Sequence, residues 1–200
     1  VKKRVVTEDD VKRMVESNAL SLSGSEILTP QAKDYLNKLK NKSIEKEIKI
    51  AIGSDHRGFK MKEEVKKNLS KEGYGIVDVG TFREEVCDYP DFAQKVALNV
   101  SKGVCAKGIM IDGAGIGSSM VCNKVPGVRA ALCYTRQSVI NGREHNNANV
   151  LVLGSDFVEN GVVGEMVNLF LKTTFAGGRH QRRVDKISVI EKNHSIGKEK

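Results

Sequence analysis

Tryptophan is absent from this chain, proline occurs three times, and Phe, Trp and Tyr together make up 5% of the 200 residues. With no aromatic side chains interleaved among basic ones there is no stacking platform for bases, which counts against a nucleic-acid partner. No uninterrupted apolar run is long enough for a membrane-spanning helix. The basic start at Lys2, Lys3 and Arg4 is not followed by the apolar stretch that a secretory signal needs. A cytoplasmic protein without membrane contact is therefore expected. The four cysteines, Cys87, Cys105, Cys122 and Cys133, are scattered with no C-x-x-C pair, so neither a metal site nor a redox motif is expected, and the thiols are read as reduced and mostly buried. Internal repeats and low-complexity tracts are also missing.

What is present is a globular composition, 40% hydrophobic and 29% charged, with a net charge of +8. An excess of this size fits either a nucleic acid or a small anion. Lysines are spread along the chain, whereas arginines bunch in R-H-Q-R-R from Arg179 to Arg183. That clustering favours a compact phosphate site.

The length allows one sizeable domain and a small appendage. From Ile48 onward, short β-branched runs alternate with amphipathic stretches. Strands are expected at Ile48–Gly53, Gly75–Val79, Gly108–Asp112, Val128–Cys133 and Val150–Gly154. Crossover helices are expected at Met61–Glu72, Phe92–Ser101, Ser118–Lys124, Arg136–Asn146 and Val162–Thr174. The pattern implies an α/β fold: a doubly wound, Rossmann-like parallel sheet of five strands in the order 2-1-3-4-5, occupying residues 47–200. Residues 1–46 read as a short helical extension. Thr7 and Asp10 resemble a capping box before Val11, Met14 and Val15, Ser21–Ser25 looks like a turn, and Leu28, Ala32, Tyr35 and Leu39 form a stripe behind Thr29-Pro30. Asn41–Glu47 is expected to be a polar hinge.

In such a sheet, ligands bind beyond the carboxyl ends of strands one and three, where the connections diverge. Ser54-Asp55-His56-Arg57-Gly58 follows strand one, and strand three ends in Asp112-Gly113-Ala114-Gly115-Ile116-Gly117. The glycine-rich turn, opening a helix at Ser118, can direct amide N–H groups at an anion, or be no more than a tight strand-to-helix connection. It is not G-x-G-x-x-G, so a dinucleotide cofactor is the poorer interpretation.

I-A-I-G-S-D-H-R-G-F, D-Y-P at Asp88–Pro90, G-A-G-I-G, N-K-V-P-G at Asn123–Gly127, R-E-H-N-N-A-N-V at Arg143–Val150 and G-G-R-H-Q-R-R-V at Gly177–Val184 together resemble ribose-5-phosphate isomerase type B, over about residues 48 to 190. The resemblance implies a metal-free, cofactor-free aldose–ketose isomerase that opens ribose 5-phosphate and shifts a proton between C2 and C1 through an enediolate. Allose or galactose 6-phosphate is the alternative substrate, and a non-catalytic sugar-phosphate-binding homologue is the rival reading. The family often carries a cysteine where Asp112 stands. Asp112 would then be the base, as carboxylates are in other isomerases, or would hydrogen-bond the turn. The resemblance assigns His145 and Asp55 to ring opening; His56, Tyr89, Gly113, Ala114, Gly115, Ile116, Gly117, Ser118 and Asn146 to the sugar; and Arg179, His180 and Arg183 to the phosphate. Plain packing of Tyr89 against Phe92 and a solvated basic turn at Arg179–Arg183 are the bland alternatives. Many relatives have Thr or Ser in place of Ala114, and an arginine in place of Asp156. His145 precedes strand five and so falls at the amino edge of the sheet, the wrong edge for its own crevice. A homodimer with shared sites, able to pair into a tetramer, is implied. Residues 1–46 resemble N-terminal segments of bacterial microcompartment enzymes, which implies contact with shell or cargo.

Overall fold

The computed structural model describes residues 4–17, 21–22 and 26–195, so Lys2, Lys3 and most of the Ser21–Ser25 turn lie outside the described residues. It divides into two compact units, Val1–Glu47 and Ile48–Lys200.

In the first unit, β1 (Val5–Val6) pairs in parallel with β2 (Ile27–Leu28), around α1 (Glu8–Glu16) and α2 (Pro30–Glu47). The strand pair has no counterpart in the sequence reading. Thr7 and Asp10 do form a reciprocal capping box, which satisfies N–H groups that would otherwise be orphaned. Val6, Val11 and Ala32 are fully buried and make a small core of their own with Leu28, Tyr35 and Leu39. The hinge expected at Asn41–Glu47 is corrected: that segment continues α2. It contains neither Gly nor Pro, and Lys and Glu are good helix formers.

The second unit runs β3 (Lys49–Ser54), α3 (Phe59–Glu72), β4 (Gly75–Asp78), α4 (Tyr89–Ser101), β5 (Lys107–Asp112), α5 (Ile116–Cys122), β6 (Ala130–Leu132), α6 (Arg136–Asn146), β7 (Val150–Gly154), α7 (Asn160–Lys172) and α8 (Arg179–Ser195). All five strands are parallel. Successive side chains enter opposite cores: Ile50, Ile52, Ile109, Ile111, Leu151 and Leu153 meet α3, α6 and α7 on one face. Ala51, Met110, Val150 and Val152 meet α4 and α5 on the other. Strands buried on both faces need such near-continuous apolar runs.

The strand order is β4-β3-β5-β7-β6. Numbering these strands one to five, this is 2-1-3-5-4, which corrects the expected 2-1-3-4-5. Burial explains the exchange. Every residue of β7 is buried, whereas the Ala-Ala-Leu of β6 is half-buried along its length. The strand that is apolar on both faces takes the covered interior, and the short one takes the edge. Because parallel crossovers are right-handed, stepping back from β6 to β7 also puts α6 on the face of α3 and α7.

Lys62 of α3 is fully buried and donates to both carboxylate oxygens of Asp78, at 3.0 and 2.9 Å, and to the carbonyl of Thr81 at 2.8 Å. The lysine thus pins the loop after β4. Asp78→Ala would leave the buried ammonium with the partly exposed Glu63 carboxylate at 3.2 Å as its counter-charge, and a loss of about 3 kcal/mol in denaturant unfolding is expected. Adding Lys62→Met should recover most of it.

Candidate active site

The carboxyl ends of β3, β5 and β7 lie side by side. Asp55 N–H donates to the Ile111 carbonyl at 3.2 Å, Ser155 N–H to that of Asp112 at 2.8 Å, and Asp156 N–H to that of Gly113 at 3.0 Å. This lattice brings two buried carboxylates, Asp55 and Asp112, to one place. Asp55 Oδ1 accepts from the N–H groups of Arg57 and Gly58, both at 2.9 Å. Burial nevertheless pushes the Asp55 carboxyl above the usual range, and the charge of Asp112 adds to the push.

Asp112 accepts from the Gly115 N–H on one oxygen and from the Ser118 hydroxyl on the other. A carboxylate has lone pairs beyond these two, so it can still take a proton. Ser118 is wholly buried, and its hydroxyl is committed to Asp112 rather than open to a sugar. The Gly115 amide, expected in the anion cradle, is committed in the same way. The helix opens at Ile116 rather than Ser118, so Ile116 and Gly117 form its first turn. Gly115 has φ +78, and a Cβ there would run into Leu132. This turn conformation therefore asks for glycine.

His56 is half-buried beside the pair. Its Nδ1 lies 3.3 Å from both the N–H and the carbonyl of Cys87 and 3.9 Å from Asp55. Either ring tautomer finds a backbone partner. The Tyr89 phenol lies directly over Gly117, which places it against the glycine turn. Tyr134 was missed in the sequence; its hydroxyl donates to the Ala114 carbonyl at 2.7 Å and its ring stands 5.4 Å from Phe157. Arg57, to which the sequence assigns no role, forms an ion pair with Asp156. Nothing in residue spacing foretells that pair, because it depends on β7 lying next to β5.

A second cluster forms at the amino edge, roughly 16 Å away along strands that rise about 3.3 Å per residue. Asn146 Nδ2 donates to the side-chain oxygen of Asn141 at 3.2 Å, which turns the Asn141 amide toward His145 Nδ1 at 2.9 Å. The His145 proton then sits on Nε2. His145 stacks on His180 with ring centroids 4.1 Å apart. Arg179 and Arg183 are exposed on the first turns of α8. His180 is buried, and burial first, then the charges of His145, Arg179 and Arg183, disfavour its protonation. Asn147 caps α6 at φ 47, and Asn149 bonds Arg129 N–H and the Gly127 carbonyl, so these two asparagines hold structure. Arg143, also missed, ties α6 to the Thr173 carbonyl at 3.2 Å. Within one chain, then, Asp55, His56, Tyr89, Asp112 and Gly113–Ser118 come together, while His145, Asn146, Arg179, His180 and Arg183 gather elsewhere.

Among the described residues no group of three or more His, Cys, Asp or Glu could hold a metal ion, and no helix is long and apolar enough to cross a membrane.

The Ribose/Galactose Isomerase family model matches residues 50–187. Ribose-5-phosphate isomerase B of Escherichia coli (strain K12) is 41% identical over 147 residues, covering 74% of this chain and 99% of that one. The solved structure of Clostridium thermocellum ribose-5-phosphate isomerase B is 48% identical, with a TM-score of 0.72, covering 74% of this chain and 99% of its own. That of Mycoplasma genitalium ribose-5-phosphate isomerase B with bound ribulose-5-phosphate is 43% identical, with a TM-score of 0.71, over 73% of this chain and 97% of its own.

The raised Asp55 pKa has a signed consequence. Its protonated form is favoured by folding, so that stabilisation is full below the unfolded value of about 4 and is lost as pH rises through the folded value. Asp55→Asn imitates the protonated form. Its melting temperature should gain on wild type as pH rises above about 4; a difference that is flat or shrinks with pH contradicts the assignment.

Proposed function

Because the chain belongs to the Ribose/Galactose Isomerase family, we propose that it interconverts ribose 5-phosphate and ribulose 5-phosphate through an enediolate, without a cofactor. The observation that carries the chemistry is the pair of buried carboxylates at the β3/β5 crevice, one of them with a raised pKa. Asp112 takes the proton from C2 of the open-chain aldose. Asp55 and His56 handle the sugar hydroxyls, and Tyr89 and the residues from Gly113 to Gly117 line the sugar. Proton transfer by a positioned group of this kind contributes roughly 100- to 10,000-fold in rate.

His145 opens the furanose ring, with Asn146 beside it, and Arg179 and Arg183 hold the phosphate. They do so for the crevice of a second subunit. Three observations support a homodimer with shared sites: the amino-edge position of this cluster, the exposed apolar residues Ile116 and Met120 beside the glycine turn, and a groove of about 900 Å³ lined by Ile187, Ile190 and Asn146. His180 Nδ1, buried with no hydrogen-bond partner among the described residues, fits an environment completed from outside. Pairing of dimers into a tetramer is compatible with this reading.

Conversion of ribose, allose and galactose phosphates to ketoses is the direct test, with ribose 5-phosphate expected to turn over fastest. Asp112→Asn and His145→Asn should each lose at least about 100-fold. Mixing the two inactive chains should restore about a quarter of wild-type activity, since hybrids carry one intact site. Near-normal turnover by Asp112→Asn removes Asp112 as base and leaves it holding the turn. No recovery on mixing removes the shared site.

Residues 1–46 dock the enzyme, in the cytoplasm, on the shell or cargo of a bacterial microcompartment. A self-contained core and the exposed Val5, Val15 and Ile27 support an interaction role for this unit. A chain lacking it should keep its turnover and lose co-purification with shell proteins; unchanged co-purification contradicts the role.

A further inference from the structure

We propose that Arg57 is a catalytic residue of this isomerase, donating to the substrate oxygen that becomes the enediolate, and that Asp156 is the positioning residue that holds it there. The inference rests on the isomerase reading above.

Arg57 bridges the loops that follow three strands. Its own N–H donates to Asp55 Oδ1 at 2.9 Å after β3, and its carbonyl accepts from the Ser155 hydroxyl at 3.3 Å after β7. Its side chain crosses the turn after β5. A Cβ built on Gly113 would stand 2.9 Å from Arg57 Cδ and Nε and 3.0 Å from Cζ, so the guanidinium lies flat against the first residue beyond Asp112, and glycine is what lets it. Nη2 is anchored by the Asp156 carboxylate. Asp156 takes one corner of the planar fork and leaves the other N–H donors, on a side chain 57% exposed.

The chemistry asks for a donor in this position. When Asp112 removes the proton from C2, the C2–H electron pair becomes the C1–C2 double bond and the carbonyl pair moves onto O1. The proton is returned to C1, O1 takes a proton, and the C2 hydroxyl loses its own to leave the ketose. Negative charge thus moves from Asp112 onto the substrate oxygen in a crevice that also holds Asp55 and Asp156, and a fixed cation stabilises it there. The other hydroxyl of the turn is not available: Ser118 is bonded to Asp112, and residue 114 is alanine.

The full-length chain and its Arg57→Gln, Arg57→Lys, Asp156→Asn and doubly substituted Arg57→Gln/Asp156→Asn variants are compared for kcat and KM on ribose 5-phosphate and for competitive inhibition by inorganic phosphate. Arg57→Gln should lower kcat about 100-fold with KM and phosphate inhibition within about threefold of wild type. Arg57→Lys, keeping the charge, should recover to within about tenfold. Asp156→Asn should lower kcat about tenfold alone and add nothing to Arg57→Gln, because it acts through that arginine. If Arg57→Gln does not fold, the Arg57→Lys and Asp156→Asn values decide by the same pattern. A wild type that turns over while Arg57→Gln, or in its place Asp156→Asn, matches its kcat overturns this inference alone, as does a loss confined to KM and phosphate inhibition. A wild type with no turnover overturns the isomerase reading, and this inference with it.

Discussion

The backbone lattice joining the carboxyl ends of β3, β5 and β7 is the constraint on which the site depends. Amides that leave one strand end on the carbonyls of its neighbour, so the loops carrying Asp55, Asp112 and Asp156 cannot drift apart without breaking buried hydrogen bonds. Charges of like sign are held close as a result. The raised pKa of Asp55 is the measurable trace of that confinement, with burial as the larger cause and Asp112 as the contributing one. The buried Lys62 ammonium, by contrast, is met by both oxygens of Asp78.

The two clusters differ in how they are held. At the carboxyl edge, side chains are fixed by backbone donors and by one another, as Asp112 is by Gly115 and Ser118. At the amino edge, orientation comes from a relay of amides, Asn146 to Asn141 to His145, on the final turns of α6. The relay selects a tautomer for His145, and stacking on His180 fixes the plane of the ring. Arg143 and Asn147 end the helix so that this face is presented.

Much of the design was legible. Periodicity located all five strands and the crossover helices to within a few residues, because a sheet buried on both faces demands unbroken β-branched runs. The glycine turn and the Asp-His segment were legible as a crevice because the rule linking strand ends to ligand sites needs only the β3/β5 adjacency, which holds. The separation of His145 from that crevice followed from its place before a strand. The hinge at Asn41–Glu47 was misread because polarity marks a solvated face as readily as a linker, and the segment lacks the residues that break helices.

The sequence by itself determined the class of fold, the membership of the crevice near β3 and β5, and the chemistry its residues can support, since these rest on local pattern and residue type. Only the tertiary structure decided that β7, rather than β6, lies beside β5, because that choice is a competition between whole strands for the covered interior. The same competition brought Asp156 to Arg57 and Arg57 across Gly113.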